Sequence, residues 1–375
     1  MFNIQDPSFG KNKLLHEALL EACDNALYGA GAYAYVTSSG VNMLMRDKVF
    51  ENFIDQGKYH LVVGMDDITN TSTLKTLADV QRKSRSHLQL SAFISADSGS
   101  TFHPKFSWFR AANGGIIVVG SGNMTAKGLR RNVEAFVIHE VSEERINEIE
   151  AMWNEWLRNS INSLKRITDA EAIEKAKQNS TRILSQPIRK KLKRPEKKEE
   201  FEIVIPIDEQ NEMGAWSYDS NCGVLVAEIG KNRYGSGWTQ SSWDRATYTD
   251  YFGVHLGEEG TYRLVMQSVL WSGQLGEIKI RPAVIKVVSS NYSIELSDSD
   301  KRQYPAEGRP IGVFVKVAER TFIYIIVFPN QEGHDKLHTL IHPHRKRADG
   351  LARYQTTVAE LQETVPTLPL LYYLV

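Results

Sequence analysis

Along the first 140 residues the hydrophobic positions alternate between the period of a helix and that of a buried strand. Apolar residues recur at helical spacing at Leu14, Leu15, Ala18, Leu19 and Ala22, and a second helix is predicted over 72–84. Short apolar runs bounded by glycine or polar turns lie at 32–36, 60–65, 88–94, 102–109, 116–120 and 134–138. This alternation predicts an α/β domain with a central mixed sheet and flanking helices.

Residues 142–163 show the pattern of one long amphipathic helix. Ser142, followed by two glutamates, is a favourable helix start because it can cap free N–H groups. The apolar stripe consists of Ile146, Ile149, Met152, Trp153, Trp156 and Leu157. Such a helix packs on the sheet, and its two tryptophans leave open a second role in a dimer interface.

A charged segment divides the chain at 186–200, where seven Lys/Arg and two prolines leave almost no apolar content. This composition is typical of a solvated linker, either a plain tether or one that also touches phosphates. Short strand-like runs follow at 201–207, 222–230, 261–271, 277–288, 292–296, 311–317 and 321–328, with helical patterning nearly absent before 348–362. We therefore expect an α/β domain at 1–185, the linker, and a mostly antiparallel β domain at 201–375, as a barrel or sandwich.

Composition limits the classes of function. The chain has 375 residues, too many for one ordinary domain, and 42% of them are hydrophobic. Lys+Arg and Asp+Glu both number 45, so any nucleic-acid surface must be a local patch. Two distant cysteines, Cys23 and Cys222, argue against a disulfide scaffold. The N-terminal residues lack signal-peptide features and no run of about 18 apolar residues occurs, which favours a cytoplasmic, membrane-free protein.

The candidate chemistry lies between residues 103 and 134. His103 and Lys105 are two positions apart in a strand-like run, so both side chains should face one side of the sheet. A Gly-Ser-Gly-Asn turn containing Ser121 and Asn123 ends the strand-like run at 116–120, and Glu134 begins the following one. Strand ends can bring these groups to one rim around a space that fits an anion.

Phosphodiester transfer requires these groups. A neutral imidazole such as His103 can attack phosphorus, and an imidazolium can protonate the leaving oxygen. Lys105, Ser121 and Asn123 can stabilise the phosphoryl oxygens, while Glu134 can accept a hydrogen bond from a histidine ring. No carboxylate cluster with divalent-metal spacing accompanies them, so we expect neither a metal nor a cofactor.

The segments HPK at 103–105 and GSGN at 120–123 resemble the signature of the phospholipase D superfamily. A second H-x-K, at His344 to Lys346, has no such turn behind it. The superfamily usually carries an aspartate five residues after the lysine, whereas this chain has Arg110, leaving Glu134 as the substitute. The same variation is found in a branch of the superfamily, the BfiI-like restriction endonucleases, which this chain resembles. The resemblance covers the N-terminal half well and the C-terminal half weakly.

The resemblance implies a site-specific, metal-independent DNA endonuclease with a phospholipase-D-like domain and a B3-like DNA-binding barrel. It implies a homodimer with one shared site, because the mechanism needs two histidines and the chain carries one convincing H-x-K. One His103 would form a phosphohistidine, and that of the partner would protonate the leaving oxygen. A methyltransferase or a further restriction-system subunit would act with it in a bacterial cytoplasm.

Two loops of the C-terminal half are candidates for contacting DNA. The first loop offers cations, amides, hydroxyls and aromatic rings at Lys231, Asn232, Arg233, Tyr234, Ser236, Trp238, Thr239, Gln240 and Arg245, with Trp243 a further candidate to pack against sugar or base. The second offers Trp271, Ser272 and Gln274, with Lys279 nearby. An ordinary hairpin loop is the alternative for the first.

Four histidines at 334, 338, 342 and 344 invite a zinc interpretation, but no carboxylate or cysteine completes a familiar ligand set. We expect a solvated basic loop there, able to touch phosphate. Two alternatives to the restriction enzyme stay open: another enzyme of the superfamily, such as a nonspecific nuclease, and a DNA-binding module with an inactive nuclease-like domain.

Overall fold

The computed structural model describes most of the chain. The described residues are 1–8, 12–84, 86–95, 100–182, 189–193, 200–204, 214–231, 240–257, 260–285, 292–297, 303–348 and 350–375. The chain forms two compact units, Met1–Ala215 and Trp216–Val375. In the described ranges no helix combines the length and apolar character needed to cross a membrane.

Eight of the described strands of the first unit form a mixed sheet, which confirms the predicted α/β class. Its strands are β1 (Phe2–Gln5), β2 (Tyr28–Tyr33), β3 (Lys58–Gly64), β4 (Leu88–Phe93), β5 (Lys105–Ala111), β6 (Gly114–Gly120), β7 (Glu134–Val141) and β8 (Leu164–Arg166). They lie in the order β1-β7-β6-β5-β2-β3-β4-β8, with β2, β3 and β4 parallel to one another. The helices are α1 (Leu15–Cys23), α2 (Ser38–Met45), α3 (Lys48–Gln56), α4 (Thr71–Lys83), α5 (Glu143–Asn159) and α6 (Ala170–Arg182).

The helix α5 packs on one face of this sheet. Ser142 caps it, because its side chain accepts a hydrogen bond from the Arg145 N–H at 3.3 Å. Ile146 and Trp153 are buried in a cluster with Trp108 and neighbouring apolar residues. Packing on the sheet therefore accounts for most of the apolar stripe, whereas Met152 remains 59% exposed.

The predicted linker contains regular structure. Strand β9 (Arg189–Lys193) pairs with β10 (Glu200–Val204) in an antiparallel hairpin, so backbone hydrogen bonds order part of 186–200. The predicted first strand of the β domain, 201–207, corresponds to β10 and belongs to the first unit. The boundary between the two units falls after residue 215, downstream of residue 200, where charge and proline content alone place the end of the linker.

The second unit is built on a six-stranded, mostly antiparallel sheet. Its strands are β11 (Gly223–Glu228), β14 (Arg263–Val269), β15 (Leu275–Pro282), β18 (Ile311–Ala318), β19 (Thr321–Val327) and β20 (Arg353–Thr357). They lie in the order β15-β14-β19-β18-β11-β20. Two small pairs accompany it: β12 (Gln240–Ser242) with β17 (Ser293–Glu295), and β13 (His255–Leu256) with β16 (Val284–Ile285). Within the described part of the chain the large sheet ends at β15 and β20, so the predicted barrel is not found.

The C-terminal segment differs from the helical pattern predicted for 348–362. Helix α7 (His334–Ile341) begins earlier, after Gly333, whose φ of 85° suits a glycine. The first part of 348–362 instead contains β20, because it completes the sheet edge beside β11, and α8 (Val358–Thr364) follows. Tertiary pairing has overridden local helix preference there.

Acid should destabilise the first unit through His60. This buried side chain hydrogen-bonds Ser91 at 2.9 Å and meets the edge of Trp153, and burial lowers its pKa to about 4. Between pH 6.5 and 4 only the unfolded chain binds this proton, so the stabilisation is complete above pH 6.5 and is lost as the pH falls. The loss should approach about 3 kcal/mol in the free energy of unfolding.

Urea unfolding at pH 7 and pH 4.5 measures this effect. The wild type should lose about 2–3 kcal/mol more than His60→Gln over that interval. The exposed His139→Gln is the matched control and should behave as the wild type. Equal losses in the wild type and His60→Gln would contradict the assignment.

Candidate active site

His103 lies just before strand β5, which begins at Lys105 instead of at the predicted residue 102. Proline at 104 has no N–H to donate to a ladder, which explains the later start. Its carbonyl accepts a hydrogen bond from Ala34 N–H at 2.8 Å, and Phe102 N–H donates to Asp66 at 2.9 Å. The segment is thus held on both sides of His103, whose side chain is exposed.

The structure brings Lys105 and His103 together as their spacing predicts. Lys105 Nζ lies 3.0 Å from His103 Nδ1, 3.1 Å from Nε2 and 3.1 Å from the His103 carbonyl oxygen. Burial lowers the pKa of the Lys105 ammonium, and the nearby Glu134 carboxylate opposes that shift. An anion held beside the imidazole would therefore lie next to this cation.

The Gly-Ser-Gly-Asn turn is fastened to strand β7. A Cβ on Gly120 would lie 2.4 Å from the Ala135 carbonyl oxygen, so only glycine permits this approach. Ser121 N–H donates to that oxygen at 2.9 Å, and Ser121 Oγ accepts from Ala135 N–H at 3.0 Å. The Ser121 hydroxyl donates to Glu134.

Glu134 has partners other than those expected. Its Oε2 accepts from Ser121, and its Oε1 accepts from Asn132 Nδ2 at 3.0 Å. The described contacts of Glu134 include no hydrogen bond to His103 of its own chain, because the start of β7 directs the carboxylate at the turn. Ser121 was predicted to donate a hydrogen bond to a phosphoryl oxygen. Its hydroxyl already donates to Glu134, so it is a weaker candidate for that role.

Asn123 is oriented by backbone. Its Oδ1 accepts a hydrogen bond from Tyr35 N–H at 3.1 Å, which leaves the NH2 group as the donor for an anion. A π-helical turn, Lys127–Arg131, packs directly behind it, because a Cβ on Gly128 would lie 2.4 Å from the Asn123 carbonyl oxygen. The amide predicted to bind phosphoryl oxygen is therefore held in a fixed direction.

Arg110, which replaces the usual aspartate, lies at the other end of β5. It lies five residue steps along the strand from Lys105, a distance of about 16 Å. Its Nη1 forms an ion pair with Glu150 of α5 at 3.0 Å. This arginine is thus held between sheet and helix, away from the His103 rim.

Sequence reasoning missed three residues beside His103. The Tyr35 ring lies nearly perpendicular to the His103 ring, with centroids 6.1 Å apart. The Tyr35 hydroxyl donates to Asp67 Oδ2 at 3.3 Å, while Asp66 holds Phe102. Tyr35 follows β2 and the two aspartates follow β3, and the carboxyl ends of neighbouring parallel strands share one sheet edge, which is the signal that could have found them.

Most of the first proposed DNA-contacting loop lies outside the described residues. This applies to Asn232, Arg233, Tyr234, Ser236, Trp238 and Thr239. The flanking Lys231, Gln240 and Arg245 are exposed. Trp243 is only 5% exposed and packs on Phe252 and Phe314, so it belongs to the core and cannot stack on a base as the sequence suggested.

The second proposed loop is a tight turn between β14 and β15. Gly273 has φ of 86°, and Leu270 N–H donates to the Gln274 carbonyl oxygen at 2.8 Å. Ser272 and Gln274 are exposed and Trp271 is half-buried. Nearby, Lys279 pairs with glutamates at 277 and 295, so its charge is already compensated.

The histidine-rich segment is helical instead of the expected loop. His334 Nε2 lies 2.9 Å from the Arg309 carbonyl oxygen, and His344 stacks on Tyr354 with centroids 4.0 Å apart. Successive turns place His334, His338 and His342 side by side, with ring centroids 6.5 and 5.5 Å apart. Among the described residues, His, Cys, Asp and Glu form no group of three that could hold a metal ion.

No protein-family model and no curated protein matches the chain. Among solved structures, the chain is similar to Nuc, a phospholipase D family member from Salmonella typhimurium, at 14% identity and a TM-score of 0.32, covering 44% of this chain and 97% of that one. NucT from Helicobacter pylori is 13% identical, with a TM-score of 0.31, and the match covers 44% of this chain and 99% of that one. Phosphatidylserine synthase from Haemophilus influenzae is 10% identical, with a TM-score of 0.31, and the match covers 44% of this chain and 39% of that one. Likeness at this level establishes no activity, so the function has to be inferred from the site itself.

Proposed function

We propose that this protein is a metal-independent, site-specific DNA endonuclease of a restriction system, acting through a phosphohistidine. The observation that carries the proposal is the exposed His103 imidazole with the Lys105 ammonium 3.0 Å from its ring. Tyr35 connects this pair to Asn123, whose Oδ1 it holds by its backbone N–H. A nucleophile, a cation and a neutral donor thus share one rim, which is the set that phosphoryl transfer needs.

The first step is an in-line attack on the phosphodiester. The neutral His103 nitrogen forms a bond to phosphorus as the bond to the leaving oxygen breaks, while Lys105 and Asn123 stabilise the other phosphoryl oxygens. A second imidazolium donates its proton to the leaving oxygen. That imidazole, now neutral, takes a proton from water, whose oxygen attacks phosphorus and releases His103.

A second copy of the chain supplies the second histidine in this proposal. Exposed apolar side chains at the edge of the sheet support a contact between two copies: Phe2 and Ile4 of β1 and Val119 of β6 are 65%, 56% and 46% exposed. The strand register places Phe2 and Val119 opposite the same residue, Val137, and therefore on one face. A two-fold contact over this face would bury it.

The same face continues towards α5. Val119 lies opposite Phe106 of β5, which lines an apolar hollow of about 480 Å³. Pro104, Trp153 and the exposed Met152 line it as well. The apolar surface therefore extends from the sheet edge to α5. This extent supports the second interpretation of that helix, in which it also takes part in a dimer interface.

The second unit is proposed to select the DNA site. Its exposed Lys231, Gln240 and Arg245 flank the first loop, and its β14–β15 turn presents Ser272 and Gln274. Cations and amides of this kind bind phosphates and base edges, respectively. The B3-like assignment, the bacterial cytoplasmic location and a methyltransferase or further subunit follow from the sequence resemblance and belong to this proposal.

Digestion of plasmid DNA in excess EDTA tests the proposal. The wild-type chain should give discrete fragments at a rate within about 2-fold of that with magnesium, because side chains alone supply the charges. A smear of fragments would support nuclease activity but contradict the site-specific role proposed for the second unit. Cleavage that requires magnesium would overturn the mechanism. Failure to cleave under any condition, with DNA still bound, would favour the DNA-binding module.

A further inference from the structure

Tyr35 contacts two groups of the candidate active site at once. Its backbone N–H donates to Asn123 Oδ1 at 3.1 Å. Its ring stands at 83° to the His103 ring, with the centroids 6.1 Å apart. Its hydroxyl donates to Asp67 Oδ2 at 3.3 Å, which anchors the far end of the side chain. One residue thus joins the nucleophile, the neutral donor and the loop after β3.

We propose that Tyr35 is a positioning residue for His103 and that Asp67 acts through it. This rests on the proposed function, because it names a further residue of that same site. His103 is exposed and precedes the first residue of β5, so its own segment restricts its ring little. Lys105 Nζ lies at nearly equal distances, 3.0 and 3.1 Å, from the two ring nitrogens and does not select between them. A perpendicular ring beside the imidazole limits its rotation.

The anchor is a neutral hydroxyl on a carboxylate. Burial raises the pKa of Tyr35, and the charges of Asp67 and Asp66 raise it further. The hydroxyl therefore stays protonated and donates a hydrogen bond to Asp67. Asp66 accepts from the N–H of Phe102, the residue before His103. The two neighbouring carboxylates therefore hold the backbone leading to His103 and the ring that faces it.

Hydrolysis of bis(p-nitrophenyl) phosphate in EDTA gives the first readout, and it does not involve DNA recognition. Tyr35→Phe and Asp67→Ala should each lower kcat about 10-fold while KM stays within about 2-fold, since misplacement of a nucleophile affects the chemical step. The double variant should be no slower than either single one. Asp67→Asn keeps an oxygen acceptor and should restore most of the rate.

The matched control is Tyr28→Phe at the far end of β2, opposite Arg110. It should leave kcat unchanged. Equal loss in Tyr28→Phe and Tyr35→Phe would show a general effect on the sheet and would overturn the positioning role.

The second readout is the imidazole Cε1–H resonance of His103, identified by its absence in His103→Ala. It should be displaced in Tyr35→Ala and, in a common direction, in Tyr35→Phe and Asp67→Ala. An unchanged resonance overturns the proposal whether or not the protein is active, as does a displaced resonance with wild-type kcat in every variant. A displaced resonance in a chain that shows no hydrolysis dependent on His103 would instead overturn the proposed function and leave the positioning role in place.

Discussion

Replacing His103 with alanine is expected to slow EDTA-resistant phosphodiester cleavage by about 10⁴-fold or more, because the nucleophile itself is removed. The free energy of unfolding should change by less than about 0.5 kcal/mol, since the side chain is exposed. The exposed His139→Ala is the matched control and should cleave as the wild type does. Cleavage rates and urea unfolding on the same preparations separate lost chemistry from lost folding.

Trapping would identify the covalent intermediate in the same comparison. An acid-labile, base-stable bond between the wild-type chain and the phosphoryl end of the cleaved DNA strand should survive rapid denaturation in alkali and be absent from His103→Ala. A His103→Ala protein that retains even a tenth of the wild-type rate would remove His103 from the mechanism and return attention to the DNA-binding alternative.

Mixing the two chains tests whether the site is shared. If each site needs His103 from both copies, a randomly reassorted equimolar mixture of wild type and His103→Ala should keep about a quarter of the wild-type activity, whereas independent sites should keep about half. Refolding or co-expression ensures that the chains exchange. Half of the wild-type activity would contradict the shared site but would remain consistent with a role of His103 within a single chain.

Sequence patterns were sufficient for the class of the sheet and for six of its eight strands, because those strands are short apolar runs with clear turns between them. Strands β1 and β8 were not predicted, and β2 begins four residues before the predicted run. The core strands β3, β4 and β6 lie almost where periodicity places them. Lys105 and His103 lie together as expected, although His103 precedes the strand whose alternation was the basis of that expectation. Strand ends were less accurate where proline interrupts the ladder, so that β5 begins after Pro104.

Long-range contacts account for what the sequence did not reveal. Tyr35 and Asp67 are 32 residues apart and meet only because their strands are neighbours. Glu134 turned to Ser121 instead of to His103 because β7 fixes its direction, which no spacing rule reports. Trp243 reads as an exposed loop residue but closes the core of its unit. Each of these outcomes depends on a partner far away along the chain.

The buried ion pair between Glu17 and Arg130 gives the largest expected effect on stability. Arg130 Nη1 lies 3.6 Å from Glu17 Oε1, and both side chains are at most 1% exposed. The same guanidinium donates to His16 Nδ1 at 3.0 Å, while His16 Nε2 lies 2.9 Å from the Met43 carbonyl oxygen. His16 therefore carries its proton on Nε2 and accepts on Nδ1, so it is a neutral partner of the guanidinium and Glu17 is a negative one.

Replacing Glu17 with alanine should cost about 3–5 kcal/mol in the free energy of unfolding, because it removes a buried carboxylate that faces a desolvated guanidinium. Glu21→Ala on the same helix removes an exposed pair with Lys13 and should cost less than about 1 kcal/mol. Urea unfolding of the two variants measures the difference. Equal costs would mean that the buried pair contributes no more than the exposed one.

The effect should reach the active site as well. Arg130 belongs to the π-helical turn Lys127–Arg131, and Gly128 of that turn packs against the backbone of Asn123. Because Glu17→Ala removes one of the contacts that hold this turn on α1, the folded fraction should also show a lower kcat, by about 10-fold, when activity is corrected for unfolded protein. Replacing the pair by Glu17→Leu with Arg130→Met removes both charges and should recover more than half of the lost stability. If the double variant is less stable than Glu17→Ala alone, the cost lies in packing of the arginine stem and not in an uncompensated charge.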